Sequence, residues 1–334
     1  MAHRISISLP WDPRDAEEIF ERARNADEAG VDTIWMNEGF GHDAFSGLTL
    51  LATETSNARI GTAIVNAYSR TPGALAQHFA TIDQLSEGRV TIGLGSSGPG
   101  VIERFHGMPF QPAIGRLREV VELIRAIWRH ERVTHHGQWY DIERALVMGV
   151  DPVQEEPPIY LATLHPNSVR MTAELADGWL PAWLPFDRLA SEIAQLREWA
   201  VAAGREPDAV TVRSPSSVTV CEDRERADAI RQGQRQGLAF FVARNGDFYY
   251  RQFGRHGFAD EAAAIKRAWD DGGAPAGIAA VPDELPASFN FVGGVEASIE
   301  RLDWEAEAGV DLHQVTIVGD DARAWQETMR RLIG

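Results

Sequence analysis

Several short runs in this chain place polar, glycine or aromatic residues directly after an apolar stretch. In a parallel α/β protein that is where strands end and chemistry is presented. Asn37-Glu38-Gly39-Phe40-Gly41-His42 offers a carboxylate and an imidazole. Glu38 there can act as a proton donor, touch a bound ring or hold a salt bridge, and His42 can be an acid–base group or a solvated side chain. Gly93, Gly95 and Gly98 match G-x-G-x-x-G. Bare backbone at Gly95-Ser96-Ser97 would let a flat ring or a phosphate approach, and a flexible turn is the competing reading. The match lies in the fourth strand–helix unit, and Pro99-Gly100 delays the helix, so a dinucleotide fingerprint is not indicated. In Ala162-Thr163-Leu164-His165 a strand gives way to Pro166 near a helix start, where free N–H groups suit a phosphate. Ordinary capping by Thr163 or His165 competes with that reading. Trp11, Phe40 and Trp183 stand near strand ends and can wall a pocket for a flat, partly apolar ligand.

The bulk composition narrows the partners. The chain has 334 residues and a formal net charge of −17. Such a field repels nucleic acid and anionic membrane surfaces, which leaves a small-molecule substrate as the expected partner. Cys221 is the only cysteine and Lys266 the only lysine. A disulfide within the chain and a cysteine-rich metal site are excluded, and lysine-based mechanisms have almost nothing to use. The adjacent His135 and His136 cannot face one metal from a helix or a strand, so no metal site is expected. With no signal-like or membrane-spanning stretch, a reducing cytoplasm is the expected compartment.

These groups need a scaffold, and the periodicity supplies one. Arg4–Leu9 alternates as a strand, and Pro13–Ala29 carries apolar residues at helical spacing behind Asp12, with Gly30 to close it. Strands Thr33–Met36, Arg59–Val65 and Val90–Ile92 then alternate with helices Ala44–Glu54, Pro72–Leu85 and Ala113–Arg129. Strands Ile159–Ala162, Trp179–Leu180, Val210–Val220 and Val315–Val318 complete the set, with a closing helix Asp321–Ile333. Eight strands alternating with helices predict a (β/α)8 barrel, a TIM barrel, as one domain over 1–334. Two excursions interrupt the repeat, about 130–158 and, larger and rich in aromatics, about 224–298 before the last strand. The second is expected to cover the barrel mouth or to form a subunit contact.

The runs Gly61–Asn66, Ala76–Arg89, Gly93–Ser97, Pro158–Ala162 and Ala176–Leu180 together resemble the bacterial luciferase-like superfamily. Phe253–Leu285 resembles its methylenetetrahydromethanopterin reductase branch. The resemblance implies an oxidoreductase that carries hydride on the deazaflavin coenzyme F420, with FMN as the cofactor of other branches. It implies cofactor contacts at Asn37, Glu38, Ala63, Ile64, Gly95, Ser96, Ser97, Ala162, Thr163, Leu164 and His165, a non-prolyl cis peptide at Ala63–Ile64, and a homodimer. This chain also departs from the pattern. Sugar-phosphate and alcohol dehydrogenases of the family have a histidine where Gly39 stands, and Gly98-Pro99 replaces an acidic residue. The candidate acid–base groups are then Glu38 and His42.

Overall fold

The computed structural model describes residues 2–110, 113–319 and 321–334. Six strands follow one another in parallel pairs: β1 (Ile5–Ser8), β2 (Thr33–Met36), β3 (Arg59–Thr62), β4 (Val90–Gly95), β5 (Ile159–Ala162) and β6 (Gly178–Trp179). β7 comes in two pieces. Thr211–Val212 pairs with β6, and Val218–Val220 pairs with β8 (His313–Ile317), which returns to β1. An Arg213–Leu312 bridge joins the pieces across the seam. The sheet therefore curls into a TIM-barrel-like (β/α)8 fold.

The break in β7 corrects the expectation of one strand over Val210–Val220. Pro215 has no N–H to give to a ladder. Five residue steps separate Arg213 from Val218, where three separate their partners Leu312 and Val315. The surplus is two residues, and the other edge of Val218–Val220 takes an unforeseen extra strand, Phe291–Gly293.

β3 departs from expectation in a similar way. It stops at Thr62 and resumes as Val65–Asn66, so four steps from Gly61 face three on β4. The extra residue makes a bulge, a device that re-aims side chains. The peptide between Ala63 and Ile64 is cis. The backbone stays paired to β2 through Ala63 N–H to Met36 O (2.8 Å) and Glu38 N–H to Ile64 O (3.1 Å).

Local chemistry explains most helix starts. Asp43 and Thr71 accept backbone N–H groups at the heads of Ala44–Glu54 and Pro72–Leu85. Asp12 caps a short 3-10 turn, Pro13–Asp15, that precedes Ala16–Ala29, and Gly30 closes that helix at φ 92°. Pro99 begins the helix Pro99–Arg104, so it does not delay one as the sequence suggested. Ile34, Met36, Ile60, Ile92, Leu94 and Leu161 pack outward against the helices. By strand alternation the opposite face of β2 and β5 turns inward. There Trp35 and Tyr160 meet Leu180 and Leu312, with Ala63, Ile64 and Ala162 against them.

Both excursions are folded. Asp83 accepts the N–H groups of Val153 and Gln154, and Glu119 those of Gln138, Trp139 and Tyr140, which pins the first. The second forms helices Arg224–Arg244, Asp247–Arg255 and Ala259–Ala279 around a core of its own that includes Leu238, Phe253, Ile265 and Phe289. No helix among the described residues is long and apolar enough to cross a membrane.

Candidate active site

A cavity of about 610 Å³ opens where β2 to β6 end. Its floor is Ala63, Ile64, Gly95 and Ala162. Asn37, Glu38, Phe40, Ser96, Ser97, Thr163, Leu164 and His165 also line it. The opposite wall comes from the large excursion, through Phe240, Phe241, Asn245, Phe248 and Tyr249. These five were not singled out from sequence as site residues. The cluster of aromatic residues between Phe240 and Phe253 was the available signal, but a strand-end rule cannot point to residues on an inserted helix.

Three of the expected groups lie elsewhere. His42 faces Asp12 across 3.6 Å with its side chain about half exposed, outside the cavity. Trp11 stacks on Phe20 and crowds Gly47. Trp183 packs among Phe241, Phe253 and Phe289, so it supports the wall from behind. Phe40 does line the cavity, and it is 72% exposed at the rim.

The glycine-rich run splits by role. A Cβ on Gly93 would stand 1.6 Å from Thr62 O, so Gly93 exists for strand packing. A Cβ on Gly95 would meet Ile64 Cδ1 at 3.0 Å and Ala162 Cβ at 3.3 Å, so its absence leaves a flat floor. Gly98 is the N-cap residue of the next helix. Ser97 turns the chain there with φ 56°, a left-handed conformation uncommon outside glycine.

Glu38 is firmly partnered. Arg70 donates to both carboxylate oxygens, at 2.6 and 3.0 Å, and the Ala44 N–H donates at 3.0 Å. This grip occupies both carboxylate oxygens and positions the head of helix Ala44–Glu54. Thr163 is also occupied, sharing a hydrogen bond with Thr172 Oγ1 at 2.8 Å.

His165 stands at the head of helix Pro166–Leu175, where backbone N–H groups and the helix dipole favour an anion. Burial, then Arg255 and Arg251, hold its imidazole below the usual range. Arg255 also donates to Leu164 O at 3.3 Å. Arg255 is itself paired with Glu192 at 2.8 Å, and Arg251 faces Asp247 at 3.6 Å. Among the described residues no cluster of three or more His, Cys, Asp or Glu side chains is placed to hold a metal ion.

His256 ties the cavity wall to pH. Burial, then the charges of Arg255, Arg188 and His165, push it down to about 4. Its Nε2 lies 3.0 Å from Gln252 Nε2 and 3.0 Å from Arg255 Nη2. In the unfolded chain the imidazole takes a proton below about pH 6.5. The folded state resists that proton, so stability is full above that value and falls as pH drops toward about 4. Thermal unfolding should therefore show a midpoint that declines across this window, and a decline that His256→Gln reduces. An identical pH profile in the variant would remove His256 as the cause.

A family model described as luciferase-like monooxygenase matches residues 3–312. The chain belongs to that family. A provisionally named coenzyme F420-dependent oxidoreductase of Mycobacterium tuberculosis is 29% identical to this luciferase-like protein over 328 residues, 92% of each chain. The 5,10-methylenetetrahydromethanopterin reductase of Archaeoglobus fulgidus is 30% identical over 293 residues, 85% of each. Among solved structures, the F420-dependent tetrahydromethanopterin reductase of Methanopyrus kandleri superposes with a TM-score of 0.81. That likeness covers 100% of this chain and 98% of the other at 22% identity, and it shows the shared fold.

Proposed function

We propose that this protein is a coenzyme F420-dependent oxidoreductase that passes hydride between the deazaflavin and a small organic substrate. The observation that carries the reading is the flat, mostly apolar slot across the ends of β3, β4 and β5, in a chain whose Mycobacterium tuberculosis relative, matched over 92% of each, is named for F420. The residues suit such a group. The volume lies in the range of ordinary cofactor sites. The missing Cβ at Gly95 lets a planar ring lie on Ile64 and Ala162. When bound, the deazaflavin supplies a two-electron hydride carrier.

The chain's own residues bind, orient and dry the site. Ala63 and Ile64, aimed by the bulge, support one face of the ring. Backbone of Gly95–Ser97 and of Ala162–His165 borders the ring and its phosphate-bearing tail, and the helix head at His165 offers the tail the positive end of a helix dipole. Glu38, locked by Arg70, fixes the β2 end from which Asn37 reaches the rim. Phe240, Phe241 and Phe248 exclude water, which strengthens every polar contact inside. We also read the chain as one unit, a homodimer, working in the cytoplasm.

Fluorescence titration tests the assignment. F420 should bind with roughly micromolar affinity, and FMN much more weakly. FMN retained through purification, with oxygen-dependent turnover, would overturn the deazaflavin reading in favour of the monooxygenase chemistry that gives the family its name. Size-exclusion chromatography of the same preparation tests the dimer.

A further inference from the structure

We infer that the Tyr249 hydroxyl is the hydrogen-bond donor that holds and polarises the substrate, and that the substrate is a largely apolar molecule presenting a carbonyl oxygen or imine nitrogen. The inference rests on the hydride-transfer reading for its chemistry, while its structural basis is independent of the cofactor.

Tyr249 comes from helix Asp247–Arg255 and lines the cavity. Its ring stands edge-on to Phe241 at 4.9 Å and tilted against Phe248 at 5.0 Å, which fixes its direction. None of the described residues hydrogen-bonds its hydroxyl. That oxygen is also absent from the polar atoms sealed away without a partner, so it opens onto free space. Burial pushes the phenol up to about 12, and it stays protonated at any working pH. A half-buried, oriented donor with nothing to donate to is arranged for a ligand.

The neighbouring groups define what that ligand is. Glu38 is held by Arg70, and Thr163 by Thr172. Phe241 and Phe248 flank Tyr249, and Phe110, Ile114, Phe240 and Asn245 line the same cavity. None of the described lining residues is Lys or Arg, so a charged group beside Tyr249 would lack a counter-ion. A neutral acceptor on an apolar body satisfies both the donor and the wall.

In the forward step the electrophilic carbon of the substrate gains hydride and forms a C–H bond. The π pair of its C=O or C=N bond, or of a conjugated C=C–C=O system, moves onto the heteroatom facing Tyr249. The developing charge is stabilised by the phenolic hydrogen bond, and a proton from water completes the product. The electron pair comes from a reduced deazaflavin, which is oxidised by two electrons.

The reporter for the test is 4-(dimethylamino)cinnamaldehyde, whose absorption band moves to longer wavelength when its aldehyde oxygen accepts a hydrogen bond. It is added to purified cofactor-free protein. The band should move on binding to the wild type. It should bind Tyr249→Phe with little or no movement, while F420 affinity is the same in both proteins. In the wild type alone the movement should persist from about pH 6 to about pH 9, because a phenol stays protonated where a histidine does not. With reduced F420 as donor, Tyr249→Phe should lower kcat for the aldehyde about tenfold or more. An equal band movement in the variant, its loss on raising pH, or failure of the wild type to bind the aldehyde overturns the inference. Absence of F420 binding alongside a Tyr249-dependent band movement would remove the deazaflavin reading and leave the donor in place.

Discussion

Gly93→Ala should be among the most damaging single substitutions in this protein, costing about 4 kcal/mol or more and emptying the cofactor slot. The added methyl would sit 1.6 Å from Thr62 O and 2.7 Å from Thr62 C, both backbone atoms that cannot rotate away. Thr62 is itself committed to this contact. Its Oγ1 donates to Gly93 O at 2.7 Å and accepts from Gly93 N–H at 3.0 Å, replacing the ladder bonds that the bulge interrupts. Separating β3 from β4 here breaks both bonds and moves Ala63 and Ile64, which are the slot floor. Chemical denaturation measures the loss, and F420 titration reads the slot. Gly100→Ala, with open space around its Cβ, is the control and should differ little from wild type. A Gly93→Ala protein as stable as that control would refute the packing role.

Arg70→Leu carries the second-largest expectation, about 3 kcal/mol of lost stability. Glu38 has a side chain only 6% exposed and Arg70 one 20% exposed. Removing the guanidinium leaves the carboxylate with the single Ala44 N–H as donor and no opposite charge. The cost comes from the stranded anion more than from the lost attraction. Arg70→Leu combined with Glu38→Gln should therefore regain part of the stability, because no charge is then left unpaired. Equilibrium unfolding of the two singles and the double forms a cycle that isolates the pair. If Arg70→Leu alone unfolds with the wild type, the pair is a solvated contact and the account of Glu38 fails. The same pairing commits Glu38, by residue type a candidate proton donor, to Arg70 and the head of helix Ala44–Glu54.

How well local sequence foretold structure depends on whether the deciding contact is local. Thr33–Met36 and Ile159–Ala162 were legible to the residue, because a buried parallel strand writes itself as a short apolar run. Asp43, Thr71 and Gly30 marked helix ends, because caps act over three or four residues. Strand-end positions such as Gly95 and His165 were legible as cavity lining once the barrel was inferred, and Ile64 through the family resemblance. The β7 break was less visible: Pro215 hinted at it, but only the count against Leu312 and Val315, about a hundred residues away, shows the surplus.

By itself, then, the sequence determined the barrel, the end of it that carries the cavity and the family of the chain, since periodicity, capping and motif spacing are properties of neighbouring residues. The tertiary structure alone decided which candidate groups are usable. Glu38 is consumed by a residue 32 positions on, His42 and Trp11 point elsewhere, Gly93 belongs to Thr62, and an unspent donor, Tyr249, arrives on an inserted helix. Pairing, burial and open space arise between distant segments, so no local pattern of residues encodes them.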